Sequence, residues 1–133
     1  MINRELINPQ SIVIVGGSNN VQKPGGRLVR NLLDGKYKGD LYVVNAKETE
    51  VQGVKSYANV AEIPDTELAI ISIPGKACPE VVEVLAKQKN VRAFIIISAG
   101  FGEETVEGGI IENQLLDIIN EAGASFIGPN CIG

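Results

Sequence analysis

Ser11-Ile12-Val13-Ile14-Val15-Gly16-Gly17-Ser18-Asn19-Asn20-Val21-Gln22-Lys23-Pro24-Gly25-Gly26-Arg27 reads as a strand, a turn and the start of a helix. Its opening run is β-branched and apolar without strict alternation, the pattern of a strand covered on both faces of a parallel sheet. A glycine-rich turn follows. The stretch from Gly26 to Leu33 then places Leu28, Val29, Leu32 and Leu33 on one helical face and closes at Asp34-Gly35.

The same alternation continues along the chain. Further strands are expected at Leu41–Val44, Leu68–Ile73, Ala93–Ile97 and, more weakly, Ser125–Ile127. Between them, Pro79 to Lys89 begins on a proline suited to a first helical turn, and Gly109 to Ala122 carries Ile111, Leu115 and Ile118 before stopping at Gly123. A short turn around Val60–Ile63 ends at Pro64. This order predicts an α/β fold: a Rossmann-like, doubly wound parallel five-stranded sheet with helices on both faces. Residues 1–133 read as one domain. Ligands of such sheets bind beyond the carboxyl ends of the strands, so the chemistry is sought in the residues after each strand.

Composition narrows that chemistry. Twelve basic and sixteen acidic residues leave a net charge of −4, and histidine is absent. That removes Ser-His-Asp and Cys-His machinery, histidine metal ligands and a phosphohistidine from this chain. Two cysteines, Cys78 and Cys131, are too few for a Cys-rich zinc site or a disulfide framework. An acidic balance disfavours nucleic acid as a partner. No apolar run has a membrane span's length and the first residues form no secretory signal, so the expected compartment is the cytoplasm.

After the first strand, Gly16, Gly17, Ser18 and Asn19 lead to Lys23, Gly25, Gly26 and Arg27. This is neither G-x-G-x-x-G nor a P-loop. It still combines glycines that admit close backbone approach, a helix start with open N–H groups, and two cations, a setting for phosphate. The competing reading is a turning loop with a solvated Lys23. After the second strand, Asn45 stands where an NAD-binding domain usually has a carboxylate for the ribose, and Lys47 would suit a further phosphate. Alternatively, Asn45 caps the strand and Lys47 is surface. Ile73, Pro74 and Lys76 follow the third strand, Pro74-Gly75 leaving room for a flat group. Ser98, Ala99, Gly100 and Phe101 follow the fourth, Phe101 serving a ligand or plugging the core. Gly128 to Gly133, with Asn130 and Cys131, follow the fifth.

Four segments resemble one family in order. Asn8 to Asn19 is similar to the opening of the CoA-binding domain of ADP-forming acyl-CoA synthetases (acetate–CoA ligase, ADP-forming), and Tyr37 to Asn45 to its second strand. Ile95 to Glu103 and Gly128 to Gly133 resemble its most distinctive segments, the last also a turn of the succinyl-CoA synthetase alpha subunit. The resemblance implies that Gly16–Ser18 and Lys23–Arg27 hold the phosphates of coenzyme A. It places Asn45 and Lys47 near the ribose and its 3′-phosphate, Ile73-Pro74 beside the nucleotide or pantetheine, and Ser98–Phe101 with Asn130-Cys131 towards the thiol. Ala46 departs from the proline that often follows in the family. No residue of this chain is implied as catalytic or metal-binding.

The resemblance further implies that a phosphohistidine domain and an ATP-grasp nucleotide-binding domain, with ATP or ADP and Mg²⁺, complete the enzyme elsewhere. The chain is then expected to be an excised N-terminal domain, inactive alone, that positions the CoA thiol. A mixed disulfide between Cys131 and CoA competes with a plain buried role for that cysteine. Two rivals stand beside this reading: a free-standing CoA-binding or sensing protein, and an NAD(H)-binding redox-sensing domain. The missing G-x-G-x-x-G and the missing acidic residue after the second strand count against the latter.

Overall fold

A computed structural model of the chain describes residues 3–97 and 106–127. Within them the order is α1 (Arg4–Ile7), β1 (Ser11–Val15), α2 (Pro24–Asp34), β2 (Asp40–Val44), β3 (Glu50–Val51), β4 (Val54–Tyr57), β5 (Leu68–Ile71), α3 (Cys78–Gln88), β6 (Ala93–Ile96), α4 (Val106–Ala122) and β7 (Ser125–Ile127). Single 3₁₀ turns at Val60–Glu62 and Gly75–Ala77 precede β5 and α3.

The strands form one sheet in the order β3-β4-β2-β1-β5-β6-β7. All neighbours are parallel except β3 and β4. The doubly wound architecture is as expected, but the sheet has seven strands among the described residues, not five. The two extra strands are a hairpin whose second arm adds to β2 through Val43↔Ser56 and Val44↔Tyr57. The chain leaves β1 for β2 on one side, then crosses back to lay β5 on the other. The β1/β5 boundary is therefore the topological switch point.

Strand periodicity divides β1 between two cores. Val13 and Val15 face Ile71, Val82, Leu85, Phe94 and Leu115, beneath α3 and α4. Ile12 and Ile14 face Val29, Val43 and Ile70, with Leu28, Leu32 and Leu33 of α2 packed behind. Every residue of β1 and β5 is buried, which explains why these strands read as unbroken apolar runs. Burying one such Val, Ile or Leu side chain contributes about 1.5–3 kcal/mol. No helix of the described residues is long and apolar enough to cross a membrane.

A polar clasp closes the end of the sheet opposite the switch point. The Asn3 side chain caps α1 by accepting from Leu6 N, and its amide donates to Arg92 O at 2.9 Å. The Glu67 carboxylate accepts from Arg4 Nη2 and from Gln10 N, both at 2.8 Å. The Arg4 bond first, then the Gln10 amide, hold the Glu67 carboxyl below its usual range. A carboxyl acidified by folding stabilises the fold above its unfolded pKa, and that contribution is lost as pH falls through the folded value. Thermal melts of wild type and Glu67→Gln are therefore expected to differ at pH 7 and to converge once pH drops below the folded Glu67 pKa. A difference that stays constant across the acid range would refute this.

Candidate functional site

Three strand ends are tied together by main chain at the switch point. Gly16 N donates to Val44 O at 2.9 Å and Ser72 N to Val15 O at 2.8 Å. Gly16 has φ 93°, and a Cβ there would overlap the Ser72 carbonyl. Only glycine lets β1 turn away from β5 at this point. The loop then folds on itself: Ser18 Oγ accepts from Asn20 N, Asn20 Oδ1 from Gln22 N, and Asn20 O from Lys23 N. Helix α2 starts at Pro24, two residues before the expected Gly26, with Lys23 as its N-cap and no side chain capping it. The positive end of the α2 dipole and its first amides thus open beside Lys23.

Above the strand ends lies a cavity of about 660 Å³. Val15, Gly16, Val44 and Ile73 form its floor, and Lys23, Asn45 and Lys47 its polar rim. One wall is the crossover segment Ala58, Asn59, Val60 and Ala61; the other is Ala77, Glu80, Val81 and Val84 of the 3₁₀ turn and α3. Its volume suits a nucleotide-sized ligand. Two lysines against one carboxylate make the rim basic in a chain whose net charge is −4. The walls between them are mostly apolar, which suits a flat ring more than a sugar.

The family described as a CoA binding domain matches residues 10–133, almost the whole chain. This chain belongs to that family. Its CoA-binding domain is 42% identical over 128 residues to the alpha subunit of acetate–CoA ligase (ADP-forming) II of Pyrococcus furiosus, a match covering 95% of this chain and 27% of that protein. Among solved structures, PH0766 of Pyrococcus horikoshii OT3 superposes with a TM-score of 0.83 at 43% identity, over 95% of this chain and 29% of that one. The dinucleotide forming acetyl-coenzyme A synthetase 1 of Ca. Korarchaeum cryptofilum, in its apo form, superposes at 0.84 and 30% identity, over 96% and 27%. The chain therefore spans less than a third of the length of these relatives. The family match and the name of the Pyrococcus furiosus relative agree with the resemblance drawn from the four sequence segments.

Within this CoA-binding domain the expected site residues divide into groups. Gly16, Lys23, Asn45, Lys47 and Ile73 meet around the cavity. Gly17, Gly25 and Gly26 are buried behind it, where Cβ atoms on Gly25 and Gly26 would overlap the Gly16 and Asn20 carbonyls. Ser18, Asn19 and Arg27 lie outside the cavity lining, as do Pro74, which caps the 3₁₀ turn, and Lys76 on that turn. Ser98, Ala99, Gly100, Phe101, Asn130 and Cys131 fall outside the described residues.

Asn45 has structural duties that its position alone did not reveal. Its amide donates to Gly17 O at 2.9 Å, and its Oδ1 accepts from Lys47 N at 2.8 Å and Glu48 N at 3.0 Å. Both readings of Asn45 thus meet in one residue: it closes the strand end, and by doing so fixes the backbone that carries Lys47. The walls from 58–61 and from α3 escaped sequence reading. Their signal was present, because Ala77, Val81 and Val84 recur at helical spacing on a facet distinct from the buried Val82 and Leu85.

Proposed function

We propose that this domain binds coenzyme A at the switch-point cavity and holds its thiol for acyl transfer in an ADP-forming acyl-CoA synthetase. The observation that carries the reading is the basic rim of Lys23 and Lys47 over an apolar cavity, in a chain matched by the CoA-binding family from residue 10 onward. In this reading the α2 amides and Lys23 take the diphosphate, and Lys47 takes the 3′-phosphate. Val60, Val81 and Val84 flank the adenine.

The chain's share of the reaction is placement. Anchoring a long, flexible cofactor by its anionic head lowers the entropy cost of bringing the thiol to an acyl donor held by other parts of the enzyme. The phosphohistidine, the nucleotide site and Mg²⁺ belong to those parts in this proposal, and the isolated domain is inactive. Which acid is activated is left to them as well.

Calorimetric titration with CoA, dephospho-CoA and NAD tests the reading. Saturable CoA binding is expected, weaker binding of dephospho-CoA, and no heat from NAD. Binding of NAD without CoA would overturn it in favour of a dinucleotide-binding domain.

A further inference from the structure

The geometry points to Gln52 as a positioning residue: its carboxamide bridges the two ends of the β1–α2 loop and holds that loop in the shape that presents the α2 amides to the CoA diphosphate. The inference rests on the CoA reading above and extends it to a residue outside the cavity, on the β3–β4 hairpin.

The hairpin turns at Gln52-Gly53, with φ of 50° and 87°. Two positive φ values fit the two-residue turn that joins twisted strands, where Asn, Asp and Gly are the usual occupants. A glutamine gains nothing there from its backbone, since only the shorter Asn or Asp side chains, or none, make that conformation comfortable. What it gains is reach. Gln52 Nε2 donates to Ser18 O at 2.8 Å and to Gly26 O at 2.9 Å, one acceptor before the loop's bend and one in the first turn of α2. Its backbone N donates to Asn19 Oδ1 at 2.7 Å, while Asn19 Nδ2 donates to Glu50 O at 3.1 Å.

The hairpin therefore holds the loop through side-chain bonds from both partners, at residues separated by more than 25 positions. The arrangement is made at a cost. Gln52 Oε1 is buried with no partner among the described residues, and an unpaired buried carbonyl is unfavourable. A left-handed backbone and an orphaned oxygen at one residue are tolerated for what the Nε2 group does. Holding the loop before ligand arrives removes an ordering cost from binding.

The test is Gln52→Asn, with Gln52→Gly as a second variant. Both suit the positive φ better than glutamine and remove the orphaned Oε1, which offsets the two lost Nε2 bonds, so neither is expected to lower the melting temperature appreciably, and neither side chain spans the two carbonyls. Affinities for CoA and dephospho-CoA are expected to fall together, roughly fivefold to thirtyfold. Amide exchange across 16–26 should quicken in the unliganded variants. Unchanged CoA affinity in both variants, with wild type binding CoA, would refute the role of Gln52 and leave the CoA reading standing. A fall in affinity matched by a fall in melting temperature would also refute it, by making the bridge merely structural. Failure of wild type to bind CoA at all would remove the CoA reading, and this inference with it.

Discussion

Gly25→Ala is expected to melt about 10 °C below wild type and to lose CoA binding by more than about tenfold. Gly25 sits in the first turn of α2 and is buried. A Cβ there would overlap the Gly16 carbonyl oxygen and come within 3.3 Å of Gly17 Cα. Both obstacles are backbone, so no rotamer change relieves them. Gly16 is held too, because its N–H is bonded to Val44 O and its own Cα side faces the Ser72 carbonyl. The strain, about 3 kcal/mol for an overpacked site of this kind, must lift the start of α2 off the loop. Gly109→Ala is the matched control. Nothing lies within 4 Å of a Cβ at Gly109, inside α4, and exchanging a helical glycine for alanine stabilises by about 0.5–1 kcal/mol. Thermal denaturation and CoA titration of the two variants read the contrast. A Gly25→Ala protein that melts with wild type would refute the close-packing account.

The same residues explain which parts of the molecule were legible from sequence. β1 and β5 are buried along their whole length and β6 at all but Ile95, so the residue types follow. The loop after β1 was legible as a site for a comparable reason: Gly16, Gly25 and Gly26 are forced by backbone contacts, and a forced glycine is visible in a sequence. β3 and β4 were not. Glu50–Val51 has only two residues, and Val54–Tyr57 lies near the sheet edge with Lys55 and Ser56 interrupting any apolar run. Their turn carries Gln in place of the usual Asn or Asp, and its side chain bonds to Ser18 O and Gly26 O, distant partners that a local reading does not see.

The cavity divided along the same line. Its floor and rim come from strand ends, where the placement rule for doubly wound sheets directs attention. One of its walls comes from the apolar stripe of α3, which merges two facets in sequence. Val82 and Leu85 are fully buried against the sheet, whereas Val81 and Val84 are only half-buried and face the cavity. A helix that packs on a core and lines a pocket at once shows a wider stripe than packing requires, and width alone does not say which side is open.

Removing both rim cations, Lys23→Ala with Lys47→Ala, is expected to weaken CoA binding by roughly a hundredfold, since one hydrogen bond to a charged group contributes about 1.5–3 kcal/mol and 1.4 kcal/mol is a factor of ten. The two lysines are expected to act on different phosphates. Lys23 caps α2 beside the loop, so its loss should lower CoA and dephospho-CoA binding alike. Lys47 follows β2, on backbone fixed by the Asn45 side chain, so its loss should affect CoA and spare dephospho-CoA. Salt separates charge from packing: wild-type affinity should fall as ionic strength rises, and the double variant's should respond much less, because exposed charges are screened over roughly 8–10 Å. Lys38→Ala is the control, a lysine just before β2 at the far end of the sheet, and should leave every titration unchanged. Equal losses for both ligands in Lys47→Ala would move the 3′-phosphate away from that rim. A double variant that binds CoA like wild type would mean that the α2 amides alone hold the diphosphate and that the basic rim is not part of recognition.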